Sequence, residues 1–409
     1  MKKELLERNI KYYYLFSIFC FTPIAMPILT VFWQNNGLTL SDIYLLESIF
    51  SVIVVIIDVP MGMIADKIGK RTSIKYSTIM MFLGWISYAS GSSFFAFLIA
   101  EIFLAIAQAL ISGADSSLLY ETLKALDREN EFKRHEGRSR ALQMYSFAVC
   151  NLIGGVVAYN FGSRIAVLAT AIGPVISFLI LTRILEVNKV QKMETLSQSW
   201  KEYKTLISSS FKFVLKHKLI QWNILFFSII TGSSVWLLWL YQPYMEFTGL
   251  PIWFFGVAFA IFNFFAATMS GLSNRIIRNV STSKVYILLS VLQLVPLLFM
   301  ATIIGRFSFL FILGHQAVRG MLRPVISNEI LKYTYSDKRA TVLSLASLGS
   351  RLFFSLTSPI FILIANDGLI KNIFMQFYLL IFFLFIMYFS YQKIPQKYFT
   401  VKDDVFDKQ

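Results

Sequence analysis

The sequence predicts an all-α integral membrane protein, with twelve transmembrane helices in two pseudo-symmetric six-helix bundles. Three observations predict it: an apolar composition too high for a water-soluble globule, long apolar segments at regular intervals, and an alternation of charge among the turns that join them. Of 409 residues, 56% are hydrophobic and only 15% charged, where soluble proteins carry about 25%. A membrane protein tolerates this because lipid is its solvent and helices satisfy their own backbone. The 40 Phe, 19 Tyr and 7 Trp suit surfaces that face acyl chains and anchor at interfaces.

A bilayer core of roughly 30 Å takes about 20 helical residues. On that ruler the first half holds spans over 12–33, 41–64, 73–91, 94–114, 140–160 and 164–184. The second half holds 221–243, 250–273, 284–303, 308–330, 340–364 and 370–391. Lys2, Lys3, Arg8 and Lys11 precede the first span. The run from Tyr12 to Trp33 is too long for a signal core and lacks a small-x-small cleavage site, so it is expected to be retained. Gly91-Ser92-Ser93 separates the third and fourth spans. The long polar stretch between Arg183 and Lys218 reads as a cytoplasmic linker. Within it, Trp200–Leu215 has the apolar spacing of a helix lying on the membrane surface. The division is therefore 1–186 as one bundle, 187–218 as linker, 219–395 as the second bundle and 396–409 as a cytoplasmic tail.

The turns alternate in charge. One set carries Lys67, Lys70 and Arg71; Lys124, Arg128, Lys133, Arg134, Arg138 and Arg140; Arg275, Arg278 and Lys284; and Lys332, Lys338 and Arg339. The intervening set is short and nearly neutral. This is the positive-inside pattern, with both termini cytoplasmic, as an even span count requires. It also accounts for the net charge of +15 without a nucleic-acid partner. Cys20 and Cys150 sit in apolar runs without metal-ligand or CxxC spacing, and read as small buried hydrophobes. No metal or cofactor is expected.

The halves match each other at polar positions. Gln108-Ala109, Asp115 and Glu121-Thr122-Leu123 align with Gln316-Ala317, Arg323 and Glu329-Ile330-Leu331. Arg138-Ser139-Arg140-Ala141-Leu142 aligns with Arg339-Ala340-Thr341-Val342-Leu343. Duplicated halves are the signature of a transporter built from repeats.

Between the second and third spans stands Gly62-Met63-Ile64-Ala65-Asp66-Lys67-Ile68-Gly69-Lys70-Arg71. The order G-x-x-x-D-K-x-G-K-R resembles the signature loop of the major facilitator superfamily, and with the spans, linker and repeat the resemblance covers essentially the whole chain. It implies secondary active transport by alternating access. It further implies that Gly62 and Gly69 permit close helix approach and a tight turn, and that Asp66 sits near the N-terminus of the eleventh span. Lys70 or Arg71 would pair with an acid at the inner end of the fourth span, for which Glu121 is the candidate. Together these residues would latch the cytoplasmic side in the outward-open state.

The second-half copy, Gly271-Leu272-Ser273-Asn274-Arg275, is degenerate. Two further family patterns are incomplete. R-x-x-Q-G reads Ala105-Ile106-Ala107-Gln108-Ala109 and lacks its Arg; G-P-x-x-G-G reads Cys150-Asn151-Leu152-Ile153-Gly154-Gly155 and keeps only the glycine pair. The chain looks most like bacterial drug and antibiotic exporters. This resemblance implies proton-coupled efflux of a small organic compound, such as a drug or peptide antibiotic, by a monomer in the bacterial cytoplasmic membrane. An importer of a nutrient, small peptide or metal chelate is the alternative. A membrane-embedded enzyme or channel is more remote, because the phosphate-loop and HExxH patterns are missing.

Ionisable residues within spans are costly and mark candidate sites. The second span carries Glu47, Ser51, Asp58 and Gly62 on one stripe, and the eleventh carries Ser344, Ser347, Arg351, Ser355 and Ser358. The resemblance sets these spans face to face, so Asp58 and Arg351 are expected to form an inter-half pair, with a purely structural pair as the alternative. Proton-coupling candidates are Asp58, Glu101 and Asp115, with His315 as a relay or as a hydrogen-bonded structural histidine. Substrate-cavity candidates are Asn223, Trp236, Arg319 and Arg323. Trp239 through Tyr244 reads as an interfacial aromatic belt, or alternatively as a binding wall.

Overall fold

A computed structural model describes residues 2–187, 205, 208–209, 211–278, 280–335, 338–395 and 398. Among these every regular element is a helix. They form two compact units. One comprises the described residues of 1–199 together with Leu250–Phe264, and the other those of 200–249 and 265–409. Most of the predicted linker, half of its surface helix and all of the tail but Tyr398 lie outside the described residues; 211–216 are helical.

In the first unit, the segment predicted as the first span is divided. Helix α1 (Lys2–Phe19) ends before a non-helical stretch at 20–25, and α2 (Leu29–Asn35) follows a 3-10 turn at Met26–Ile28. Pro23 and Pro27 explain the break, because proline lacks an amide donor and disfavours helix in the residue before it. Thr39 then starts α3 (Leu40–Ile68) with a capping box, its hydroxyl accepting from the Asp42 amide while Asp42 accepts from the Thr39 amide.

One residue, Gly69, joins α3 to α4 (Lys70–Ser90). Its φ of +95° and ψ of 145° are open to glycine and strained for other residues. Helix α5 (Phe94–Ile111) packs along α4, with Ser73 Oγ donating to the Leu110 carbonyl (2.7 Å) and Ser77 Oγ to the Ala107 carbonyl (2.8 Å). Such hydroxyl contacts tie helices together where lipid offers no hydrophobic drive. Gly113, at φ +73°, turns the chain into α6 (Ala114–Lys124). Helix α7 (Phe132–Phe161) begins well before the predicted Arg140, and α8 (Ser163–Thr170) and α9 (Ile172–Arg183) make up the sixth predicted span.

The remaining helices are α10 (Lys218–Leu238), α11 (Tyr241–Phe247), α12 (Ile252–Ile277), α13 (Thr282–Thr302), α14 (Ile312–Lys332), α15 (Arg339–Ile364) and α16 (Leu369–Gln392). Within the second unit α10 lies close on α15. A Cβ on Gly232 would come within 3.1 Å of the Ser350 carbonyl, the close approach that small residues allow between membrane helices.

Among the described residues nine helices are long and apolar enough to cross a membrane. The predicted spans outside this set are 12–33, 73–91 and 308–330. The first is broken as above. Helices α4 and α14 have 21 residues each, about 31 Å at 1.5 Å per residue, but α4 is diluted by Ser, Thr and Tyr and α14 carries Arg319, Arg323, Glu329 and Lys332. The outward faces are apolar: Ile56 is 66%, Leu356 77% and Leu363 83% exposed, as acyl chains require.

Candidate functional site

In α3 and α4, Lys70 pairs with Asp66 one turn earlier. Arg71 donates from Nε to the Leu181 carbonyl (2.8 Å) and from its terminal nitrogen to the Thr182 carbonyl (3.0 Å). These carbonyls close α9, where the helix dipole is negative and favours a cation. The Arg71 amide donates to Glu186 Oε1 (3.2 Å), and that carboxylate lies over Gly69, 3.0 Å from where a Cβ would stand. Thus Glu186 also meets the turn, a residue missed in sequence because it follows the sixth span. Glu121 lies half-buried on α6. Gly62 is within α3 and has no atom within 4 Å of an added Cβ.

Glu101 lies deep in the first unit, 4% exposed, and accepts from the Tyr88 hydroxyl. Tyr88 packs against Trp33 (5.8 Å) and Phe97 (5.5 Å). Among the described residues no ion pair involves Glu101. Buried Glu47, on α3, interacts electrostatically with the same tyrosine. Asp115 is placed differently: its Oδ2 meets Arg140 at 3.2 Å, and Arg140 also holds Glu136 at 3.0 Å. Asp58 lies in α3 of the first unit and Arg351 in α15 of the second, both half-buried.

A charge network near the start of α7 escaped sequence reading. Helix α7 has 30 residues, about 45 Å at 1.5 Å per residue, so its first turns project beyond the hydrocarbon. There Arg128 binds Glu131 through two nitrogens (2.6 and 2.8 Å) and Glu7 of α1 (2.8 Å). Glu131 also meets His135 at 3.3 Å, and His135 shares a 2.5 Å hydrogen bond with Tyr14. The Arg128 hydrogen bonds hold the Glu131 carboxyl down to about 2. Partners 121 residues apart leave no local signal in sequence.

The second unit's interior is polar but mostly uncharged. Asn223 is fully buried and accepts from the Tyr286 hydroxyl (2.6 Å). Trp236 is fully buried, donates to Thr357 Oγ1 (3.0 Å) and packs on Phe361 (4.8 Å). Gln376 donates to the Trp236 carbonyl (3.2 Å), and Gln293 to Ser234 Oγ (2.9 Å). Trp239, Tyr241, Gln242 and Tyr244 are all buried. This corrects the reading of an interfacial belt; Tyr244, for example, spends its hydroxyl inside, on the Met300 carbonyl and Ser308.

His315 is 1% exposed, and among the described residues neither ring nitrogen has a hydrogen-bond partner. The expectation of a hydrogen-bonded structural histidine is therefore corrected. Arg319 and Arg323 keep accessible surface on the same helix.

These helices, their paired charges and the Gly69 turn sit in a chain that matches the Major Facilitator Superfamily over residues 13–350. The chain belongs to that superfamily. It is accordingly a multi-pass membrane transporter and not an enzyme, and superfamily members bind small-molecule substrates within the membrane. It is similar to the quinolone resistance protein NorA of Staphylococcus aureus, at 25% identity over 147 residues. That match covers 36% of this chain and 37% of NorA, so it spans little more than a third of the relative's length. In fold the transporter is similar to the nucleoside transporter NupG (TM-score 0.74, 11% identity, 95% of this chain and 99% of that one). It is likewise similar to a bacterial homologue of the human lysosomal transporter Spinster in an inward-facing, unoccupied conformation (TM-score 0.72, 12% identity, 95% and 98%).

Proposed function

We propose that this transporter exports a small organic compound, of the drug or antibiotic class, in exchange for protons. The observation that carries the reading is Glu101: a carboxyl inside the first unit, hydrogen-bonded to Tyr88, with no cation paired to it among the described residues. A charge at the centre of a membrane helix costs about 2.5–3.5 kcal/mol on insertion scales. Loss or gain of a proton at Glu101 is therefore tied to a change in what surrounds it. Asp115 suits the task less, because Arg140 already balances its charge. The partial similarity to NorA favours the export direction.

The site is read as working in the bacterial cytoplasmic membrane, in a monomer with both termini cytoplasmic, with bundles at 1–186 and 219–395. Gly62, Asp66, Gly69, Lys70, Arg71 and Glu121 act as the conformational latch, with Glu186 added to it. Asp58 and Arg351 act as a pair that forms and breaks during the cycle; a charge-swapped double variant should regain transport that each single variant loses.

Inverted membrane vesicles test the whole reading. With a drug-sensitive host's membranes carrying the protein, an inside-acid gradient should drive accumulation of a fluorescent drug, and collapse of the gradient should release it. Accumulation that ignores the gradient removes proton exchange. Accumulation in right-side-out vesicles alone would instead indicate import.

A further inference from the structure

Helix α14 carries His315, Gln316, Arg319 and Arg323. At 100° per residue these positions fall at 0, about 100, about 40 and about 80 degrees, one arc roughly a quarter-turn wide and more than two turns long. His315 and Gln316 are each 1% exposed. Neither imidazole nitrogen nor Gln316 Oε1 has a hydrogen-bond partner among the described residues. The Gln316 amide donates to the Tyr241 hydroxyl at 3.1 Å, and Arg319 is an electrostatic neighbour of the same tyrosine. Arg319 is exposed, one turn along the same helix from the two buried groups. Unmade hydrogen bonds on buried groups are costly, so several in one arc call for an explanation.

We propose that His315, Gln316, Arg319 and Tyr241 form a recognition site for the oxyanion of an organic acid, a carboxylate or sulfonate on an apolar body. This names the cargo class and rests on the transporter reading above. The donor set fits: a guanidinium offers a fork to two oxygens, and the imidazole N–H and the tyrosine hydroxyl add donors around it. Gln316 Oε1 is then free for a donor on the same molecule, which suits a zwitterion. His315 becomes a cargo contact instead of a proton relay.

The test uses purified full-length protein in lipid nanodiscs and two fluorescent probes on one scaffold: anilinonaphthalene sulfonate, and phenylnaphthylamine, which lacks the sulfonate. Empty nanodiscs supply the background. The expected result is binding of the sulfonate about tenfold tighter than the neutral probe, the scale of one charge-assisted hydrogen bond. Arg319→Gln and His315→Asn should each weaken the sulfonate about tenfold and leave the neutral probe within about twofold, while Arg319→Lys recovers part of the loss. Thermal unfolding of each variant checks the fold, and His315→Asn carries the test if Arg319→Gln does not fold. Equal affinity for the two probes, or equal loss of both in the variants, overturns the proposal. So does displacement of the sulfonate probe by inorganic sulfate at matched ionic strength, which would mark a free-anion site. These outcomes are independent of the vesicle assay: charge discrimination without gradient-driven transport keeps this site and removes only the coupling.

Discussion

The two units solve the problem of buried polarity in different ways. The first uses titratable groups: Glu101 on Tyr88, Asp115 and Glu136 on Arg140, and the chain Glu7–Arg128–Glu131–His135–Tyr14. The second uses mostly neutral amides, hydroxyls and indoles: Asn223 with Tyr286, Gln293 with Ser234, and Trp236 with Thr357 and Gln376. The difference has an energetic meaning. Partly exposed ion pairs contribute little net stability and respond to pH and salt. Buried neutral hydrogen bonds fix packing, and their loss is felt in full. The polar contacts of the first unit therefore respond to pH and salt, and those of the second hold a defined packing.

The largest effect is expected of Glu101→Gln. It should reduce gradient-driven drug accumulation at least about tenfold, since one lost proton carrier stops coupling, while drug binding to purified protein persists. Equal transport by wild type and variant would move the proton site elsewhere. Next in size is Trp236→Ala, expected to cost about 3–5 kcal/mol as a large buried aromatic. Denaturant unfolding in detergent should show a lowered midpoint, and a change under about 1 kcal/mol would deny the second unit its rigid role.

A smaller effect is expected for Asp115→Asn. Arg140 is 46% exposed in its side chain, so screening discounts the pair to about 1 kcal/mol or less. A double-mutant cycle with Arg140→Gln should return a coupling of that size that fades in high salt.

The smallest expected effects are pH slopes outside the membrane, one in each unit. Burial beside Tyr333 and Tyr398 pushes the His217 imidazole below its ordinary 6.5. Both folded and unfolded forms are neutral above 6.5, so stability should be flat there. As pH falls below 6.5 the unfolded chain takes the proton first and stability is lost. His217→Phe should remove that slope in thermal unfolding. Glu131, held down by Arg128, contributes stability above its ordinary 4.5 that is lost as pH falls toward about 2; Glu131→Gln should flatten this second window.

Much of the fold was legible because each feature rests on local pattern. Apolar length marks spans, glycine marks the turn at Gly69, and loop cations mark a side. The divided first segment was less visible, although Pro23 and Pro27 stand within it. An apolar window averages over a proline break, whereas the backbone does not.

The candidate site was legible in its residue types and much less in its partners. Glu101 and His315 stood out as ionisable groups in apolar runs. Yet the sequence could not tell that Glu101 meets Tyr88, that Asp115 meets Arg140, or that His315 meets no partner among the described residues. A helical membrane chain, its charged turn and its superfamily follow from consecutive residues alone, because lipid imposes length, polarity and charge rules on them. Only the tertiary structure decided that Arg71 grips the end of α9, that Glu186 covers Gly69, and that Trp239 through Tyr244 face inward instead of lying at an interface. Those outcomes depend on which helix faces align across more than a hundred residues of chain, and no local rule of hydropathy or spacing encodes that alignment.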